Sequence, residues 1–205
     1  LAFLDTHYYG GIKKYQWLSI PLALHGVVIK KNGKKVEVCV GEKETDPVLV
    51  INDLLPHLGA KQREKLAKDF IDGEQMDLLI GNRPEDGEED AVTRRIRNLL
   101  KEKYDIEEED FLSAELEIVP AGKARECGLD NSMILAYGQD DRVCAFTSLF
   151  AILEAEEVTR TACCLLVDKE EIGSTGASGM TSRFFENDVA EYILLNEGIE
   201  YNDIV

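Results

Sequence analysis

Residues 161–180 read TACCLLVDKEEIGSTGASGM, and this stretch decides the fold. Ala162 to Val167 is a continuous apolar run of strand length. Such a run suits a buried strand covered on both faces, as in a parallel sheet flanked by helices. Asp168, Lys169, Glu170 and Glu171 follow at once, and a glycine-rich turn through Gly173, Gly176 and Gly179 comes next. Upstream, DRVCAFTSLFAILEAE (141–156) sets Val143, Phe146, Leu149, Phe150 and Leu153 on one helical face. Downstream, FENDVAEYILLNEG (185–198) predicts a second helix. Helix, buried strand, glycine-rich turn and helix in succession make an α/β arrangement.

The earlier part of the chain has a different rhythm. LALHGVVIK (22–30), KKVEVCVG (34–41) and DPVLVINDL (46–54) are three runs rich in β-branched residues, separated by turn signals. Asn32-Gly33 between the first two is a strong hairpin turn. AKQREKLAKDFID (60–72) has Leu66, Phe70 and Ile71 at helical spacing, and MDLLIGN (76–82) suits another strand. After the acidic loop RPEDGEED (83–90), Asp90 is placed to cap the helix AVTRRIRNLLKEKY (91–104). AELEIVP (114–120) then reads as a strand. Two units result: an α/β unit made of residues 1–20 and 119–205, and a β-rich unit, 21–118, inserted into it.

The 205 residues carry a formal net charge of −17 at pH 7. So acidic a surface repels phosphate backbones and anionic lipid, which argues against nucleic acid or membranes as partners. No apolar run approaches the ~20 residues that span a bilayer. The start, LAFLDTHYYGG, has neither the basic residues nor the small-residue cleavage site of a signal peptide. Cys39, Cys127, Cys144, Cys163 and Cys164 form no CxxC pair, and Cys163 and Cys164 lie in the run assigned to the core. Reduced thiols in a cytoplasmic protein fit this pattern. The chain opens on Leu1 rather than Met and stops soon after a helix-like stretch, so a piece of a longer protein is expected.

Two acidic clusters sit where chemistry is usually placed. Asp140, Asp141 and Arg142 open the amphipathic helix, and Asp168 to Glu171 leave the end of the buried strand. Ligand sites in open α/β sheets form just outside the carboxyl ends of strands. Carboxylates converging there can bind a metal ion. Spacing alone also allows a plainer account: acids at a helix start favour its dipole, and acidic loops are commonly just solvated. The turn GSTGASG lacks both the Walker lysine and GxGxxG, and no GxSxG is present, so phosphate-binding and serine-nucleophile readings have no support.

The longer strings are more specific. AYGQDDRVCAFTSLFAIL followed by LLVDKEEIGSTGASG resembles the aspartyl aminopeptidase-like family of dinuclear zinc aminopeptidases, in its bacterial probable aminopeptidase branch. LDTHYYGGIKKYQW, PLALHGVV and ELEIVPAG match the same family, so the resemblance covers nearly the whole chain. The resemblance implies a zinc-exopeptidase-like α/β/α catalytic domain with an inserted β-rich dimerisation or lid domain. It implies that Asp140 bridges two zinc ions, that Glu171 is a ligand to one of them, and that Glu170 is the general base. Cobalt or manganese are alternative metals at such oxygen and nitrogen sites. Asp141 and Arg142 would orient the bridging carboxylate.

His57, in VINDLLPHLG, matches a motif that carries a histidine into a neighbouring subunit's active site in related enzymes. A half-buried histidine at the turn after Pro56 is the competing account. His25 reads as a strand histidine and His7 as a loop residue. The family also implies peptide substrates and a homo-oligomer, a dodecamer built from dimers. Its complete ligand set needs a histidine before residue 1, and an aspartate and a histidine after residue 205, so the resemblance too implies a fragment. The alternative is a catalytically inactive homologue or an oligomer-forming module.

Overall fold

A computed structural model of the chain describes residues 1–87 and 90–198. It divides into two compact units, the first of residues 1–8 and 13–137 and the second of residues 9–12 and 138–205.

In the first unit, β1 (Ala2–Leu4), β2 (Leu22–Ile29), β3 (Lys35–Val40) and β4 (Val50–Ile51) are followed by the single-turn helix α1 (Ala60–Arg63). β5 (Leu78–Gly81), α2 (Ala91–Tyr104), β6 (Ala114–Pro120), β7 (Arg125–Cys127) and β8 (Met133–Leu135) complete it. The strands form two antiparallel three-stranded sheets, β1–β5–β4 and β3–β2–β6, plus the hairpin β7–β8. The hairpin at Asn32-Gly33 joins β2 to β3 in register from Leu24↔Val40 to Ile29↔Lys35. β3 shows why it forms a strand: Val36 and Val38 point inward while Lys35, Glu37 and Cys39 face solvent, a strict period of two. β2 is the central strand, and its Leu22, Ala23 and Val28 are completely buried.

β2 and β6 close the long excursion between them. Leu22 pairs with Pro120, and the Ala121 N–H donates to the Pro21 carbonyl at 2.9 Å. Gly26, at φ +143°, lets the strands meet: a Cβ there would stand 2.0 Å from the Glu115 carbonyl oxygen. α2 packs on β5, with Ile96 filling the space a Cβ on Gly81 would take. Its N-cap is Asp90, as expected, but the capping is by backbone alone, with Arg94 N–H donating to the Asp90 carbonyl at 2.8 Å. At its other end Asp105 accepts from Lys30 and Lys101, at 2.8 and 2.7 Å.

The helix expected over residues 60–72 stops after one turn, at Arg63. Gly59 offers no side-chain cap, and Leu66 is exposed with no surface to pack on, whereas Ile71 turns into the core of the sheets. A helix this short draws its stability from packing, and this one has little.

In the second unit, α3 (Gln139–Leu153) and α4 (Phe184–Glu197) appear where the periodicity predicts them. The run 162–167 does not form the expected buried parallel strand: it has extended or irregular backbone, Leu166 and Cys163 are exposed, and Cys164 is half-buried. A strand exists only when a neighbour completes its hydrogen bonds, and none of the described strands pairs with this run. The predicted apolar face of α3, Val143, Phe146, Leu149, Phe150 and Leu153, is likewise exposed. All five cysteines are free thiols. No helix of the described residues is long and apolar enough to cross a membrane.

Candidate active site

α3 begins irregularly. Gly138 at φ +72° leads into it, and Asp140 and Asp141 depart from helical angles, with a cis peptide bond between them. Arg142 folds back over the turn, its guanidinium carbon 3.4 Å from where a Gly138 Cβ would lie. Asp140, Asp141 and Arg142 are all exposed.

Glu170 and Glu171 stand on a tight 3-10 turn, Glu170–Ile172, bracketed by Lys169 and Gly173, both in left-handed conformation. Backbone bonds fix it. The Lys169 carbonyl accepts from Ser174 N–H at 2.8 Å and Ile172 N–H at 3.3 Å, and the Glu170 carbonyl accepts from Gly173 N–H at 2.9 Å. The glycine-rich loop folds closely behind, with Gly179 seated against the Ser174 carbonyl. Asp168 anchors the turn's start: its carboxylate accepts from the Ser178 hydroxyl at 3.3 Å and pairs with the Lys169 ammonium at 3.3 Å. The Lys169 backbone N–H, foremost, holds the Asp168 carboxyl below the usual carboxylate range. The same Asp168 raises the Lys169 ammonium pKa.

Asp140, Glu170 and Glu171 thus belong to one compact unit, and the two glutamates share one rigid turn. His57 lies in the other unit, on an exposed turn over residues 56–58. That turn is braced by Arg63, which donates to the Pro56 carbonyl at 3.2 Å, and by Gln62, which donates to Asp53 at 3.1 Å. Leu54, Leu55 and Leu58 around it are between 54% and 70% exposed, a cluster of bare leucines beside an imidazole. His25 is a strand histidine, as expected, with Nε2 2.8 Å from Glu42 Oε1 but poorly angled for a hydrogen bond. His7 stacks on Tyr8 in the first unit.

Carboxylate oxygens are good zinc ligands, yet a catalytic zinc normally takes three protein ligands. Among the described residues no three His, Cys, Asp or Glu side chains gather to hold a metal ion. The second unit contains no histidine, so the metal donors it can offer are carboxylates and the thiols of Cys144, Cys163 and Cys164.

The sequence pattern missed what lies behind Glu171. Tyr9–Ile12 leaves its neighbours in the chain and belongs to the second unit. Gly10, at φ +70°, sits so close that a Cβ would be 3.0 Å from the Glu171 carbonyl oxygen. The only signal was the glycine pair after two tyrosines in YYGG.

Comparison with known proteins places this geometry in context. The family model for aminopeptidase I zinc metalloproteases (M18) matches residues 1–204. A probable M18 family aminopeptidase 1 of Clostridium acetobutylicum is 58% identical over 197 residues, which is 95% of this chain and 42% of that protein. A counterpart in Borrelia garinii is 56% identical over 207 residues, covering 100% of this chain and 45% of the relative. Among solved structures, an M18 aminopeptidase from Thermotoga maritima superposes with a TM-score of 0.91 at 44% identity, over 98% of this chain and 44% of that one. Aminopeptidase I from Clostridium acetobutylicum gives 0.87 at 53% identity, over 99% of this chain and 44% of that one. The chain therefore spans a little under half the length of the relatives it matches. On the match across residues 1–204, this chain belongs to the M18 family of aminopeptidase I zinc metalloproteases.

Proposed function

We propose that this chain is the central piece of a metallo-aminopeptidase that removes N-terminal residues from peptides, and that Asp140, Glu170 and Glu171 are its share of the active site. The observation that carries the reading is the placement of two adjacent glutamates on a rigid turn in the same compact unit as Asp140. Zinc, when bound, would acidify a water and polarise the scissile carbonyl. Asp140 would bridge two zinc ions, or cobalt or manganese in their place, and Glu171 would bind one of them. Glu170 would accept a proton from the attacking water and return it to the leaving amine. Adjacent positions on a 3-10 turn point the two glutamates about 120° apart, which suits one to the metal and one to the reacting atoms. Asp141 and Arg142 would hold Asp140 in orientation.

The domain division drawn from sequence belongs to the same proposal. Residues 21–118 form the inserted dimerisation or lid domain, and residues 1–20 with 119–205 contribute to an α/β/α catalytic domain. Its support is the pairing of Leu22 with Pro120, which brings the two ends of the insertion side by side as a domain insertion requires. The bare leucines flanking His57 support a docking surface for another subunit of a homo-oligomer, a dodecamer built from dimers, with His57 reaching the partner's active site. The exposed apolar faces of α3 and α4 support packing against the rest of a longer chain. A cytoplasmic location completes the reading, and the net charge of −17 favours neither nucleic acid nor membrane as partner.

The test is hydrolysis of aminoacyl-nitroanilides by the full-length protein. Glu170→Gln should lower kcat by about 10²- to 10⁴-fold with zinc content unchanged. Wild-type turnover in that variant would remove Glu170 from the mechanism. A full-length protein with neither zinc nor hydrolysis would instead be an inactive homologue or an oligomer-forming module.

A further inference from the structure

The geometry points to Tyr9, Gly10 and Lys169 as positioning residues that lock the Glu170–Glu171 turn from behind, an inference that rests on the roles proposed above for those glutamates. Three observations combine. Residues 9–12 pack with the second unit although residues on both sides belong to the first, so local contacts hold them there. Gly10 lies against the backbone of Glu171: a Cβ at its position would stand 3.0 Å from the Glu171 carbonyl oxygen and 3.1 Å from its Cβ. Lys169, at φ +69°, turns its side chain out of the turn, with the ammonium 3.3 Å from Asp168 Oδ2 and 5.4 Å from the centre of the Tyr9 ring.

The two contacts act together. Lys169 ties the start of the turn to the Asp168 carboxylate on one side and to Tyr9 on the other. Tyr9 carries Gly10 with it, and Gly10 closes the space into which Glu171 would otherwise recede. A ligand carboxylate and a general base need positions held to about 0.5 Å. An added methyl at Gly10 meets two Glu171 atoms at the edge of steric contact and also a left-handed φ that L-residues rarely adopt. Gly11 is the natural control, because nothing lies within 4 Å of a Cβ built on it.

The experiment uses the full-length protein and compares Gly10→Ala, Gly11→Ala, Lys169→Met and Lys169→Arg. Zinc affinity is measured by competition with a chelator. Hydrogen exchange of peptides spanning residues 168–178 is measured on zinc-free protein, and kcat and KM are measured on loaded enzyme. Gly10→Ala and Lys169→Met should weaken zinc binding and lower kcat by tenfold or more, leave KM within about twofold, and speed exchange in 168–178 at least threefold without metal. Lys169→Arg, which keeps the cation, should recover most of the loss, and Gly11→Ala should match wild type. Wild-type zinc affinity and exchange in both Gly10→Ala and Lys169→Met would overturn the inference; if Gly10→Ala does not fold, the Met and Arg pair decides alone. Glu170→Gln and Glu171→Gln run in parallel. If neither alters turnover or zinc, the catalytic reading of the turn falls, while faster exchange in Lys169→Met still supports the lock.

Discussion

Gly26→Ala should be among the most damaging single-methyl additions in this chain. Gly26 sits mid-strand in β2, opposite Val38 on one side and Leu116 on the other. A Cβ there meets the Glu115 carbonyl oxygen at 2.0 Å and the Leu116 Cα at 2.9 Å, both backbone atoms of the adjoining strand. A tolerable carbon–oxygen approach is about 3.3 Å, so β2 and β6 would have to part by about 1.3 Å. That stretch breaks the hydrogen bonds nearest the site. Overpacking costs about 1–3 kcal/mol, and holding alanine at φ +143° costs about 1–3 kcal/mol more. Lost ladder bonds add about 1 kcal/mol each. With one such bond lost the sum, about 3–7 kcal/mol, is a large part of a typical domain's 5–15 kcal/mol. At about 2–4 °C per kcal/mol the melting temperature should fall by about 6–28 °C. Gly33→Ala separates the contributions, because Gly33 has φ +82° but open space around it, and should cost only about 1–2 kcal/mol. Denaturant and thermal unfolding followed by circular dichroism read both variants. A Gly26→Ala cost less than 1 kcal/mol above the Gly33→Ala cost would refute the claim that β2 and β6 meet this tightly at Gly26.

Asp105, held below the usual carboxylate range first by its bond to Lys101 and then by Lys30, has a folded pKa under its unfolded value of about 3.9. Its stabilisation is therefore present above pH ~4 and lost as pH falls through the folded value. Asp105→Asn should flatten the acid side of a melting-temperature–pH curve, and an unchanged acid limb would contradict this. His57→Ala in the full-length protein should lower kcat by at least tenfold while sedimentation shows the same assembly; unaltered kcat would leave His57 a surface residue. The 205-residue chain alone should bind a hydrophobic dye strongly through the exposed faces of α3 and α4, and co-expression with the remaining segments of the full-length protein should suppress that binding. Persistent dye binding would show that those faces are not covered within the chain.

Much of the first unit was legible because its signals are local. The alternation in β3, the Asn32-Gly33 turn and the start of α2 at Asp90 each depend on residues within or beside one element. The run 162–167 and the residues after Arg63 were misjudged for the opposite reason. An apolar run becomes a strand only beside a partner, and three apolar residues at helical spacing make a helix only against a surface. The Glu170–Glu171 turn could be seen in DKEEIGS, since its glycines and acids are adjacent. Its backing by Tyr9 and Gly10 could not, because that contact joins residues about 160 positions apart and leaves no periodic trace.

The central claim is that Asp140 and Glu171 bind the same metal centre with Glu170 beside it. Crystals of the full-length protein grown with zinc, and diffraction data collected on both sides of the zinc absorption edge, test it directly. The account predicts an anomalous peak about 2.0–2.2 Å from a carboxylate oxygen of Asp140 and of Glu171. Glu170 should lie within reach of a water at that peak. Zinc peaks remote from both residues, or the two carboxylates pointing into separate regions, would contradict it.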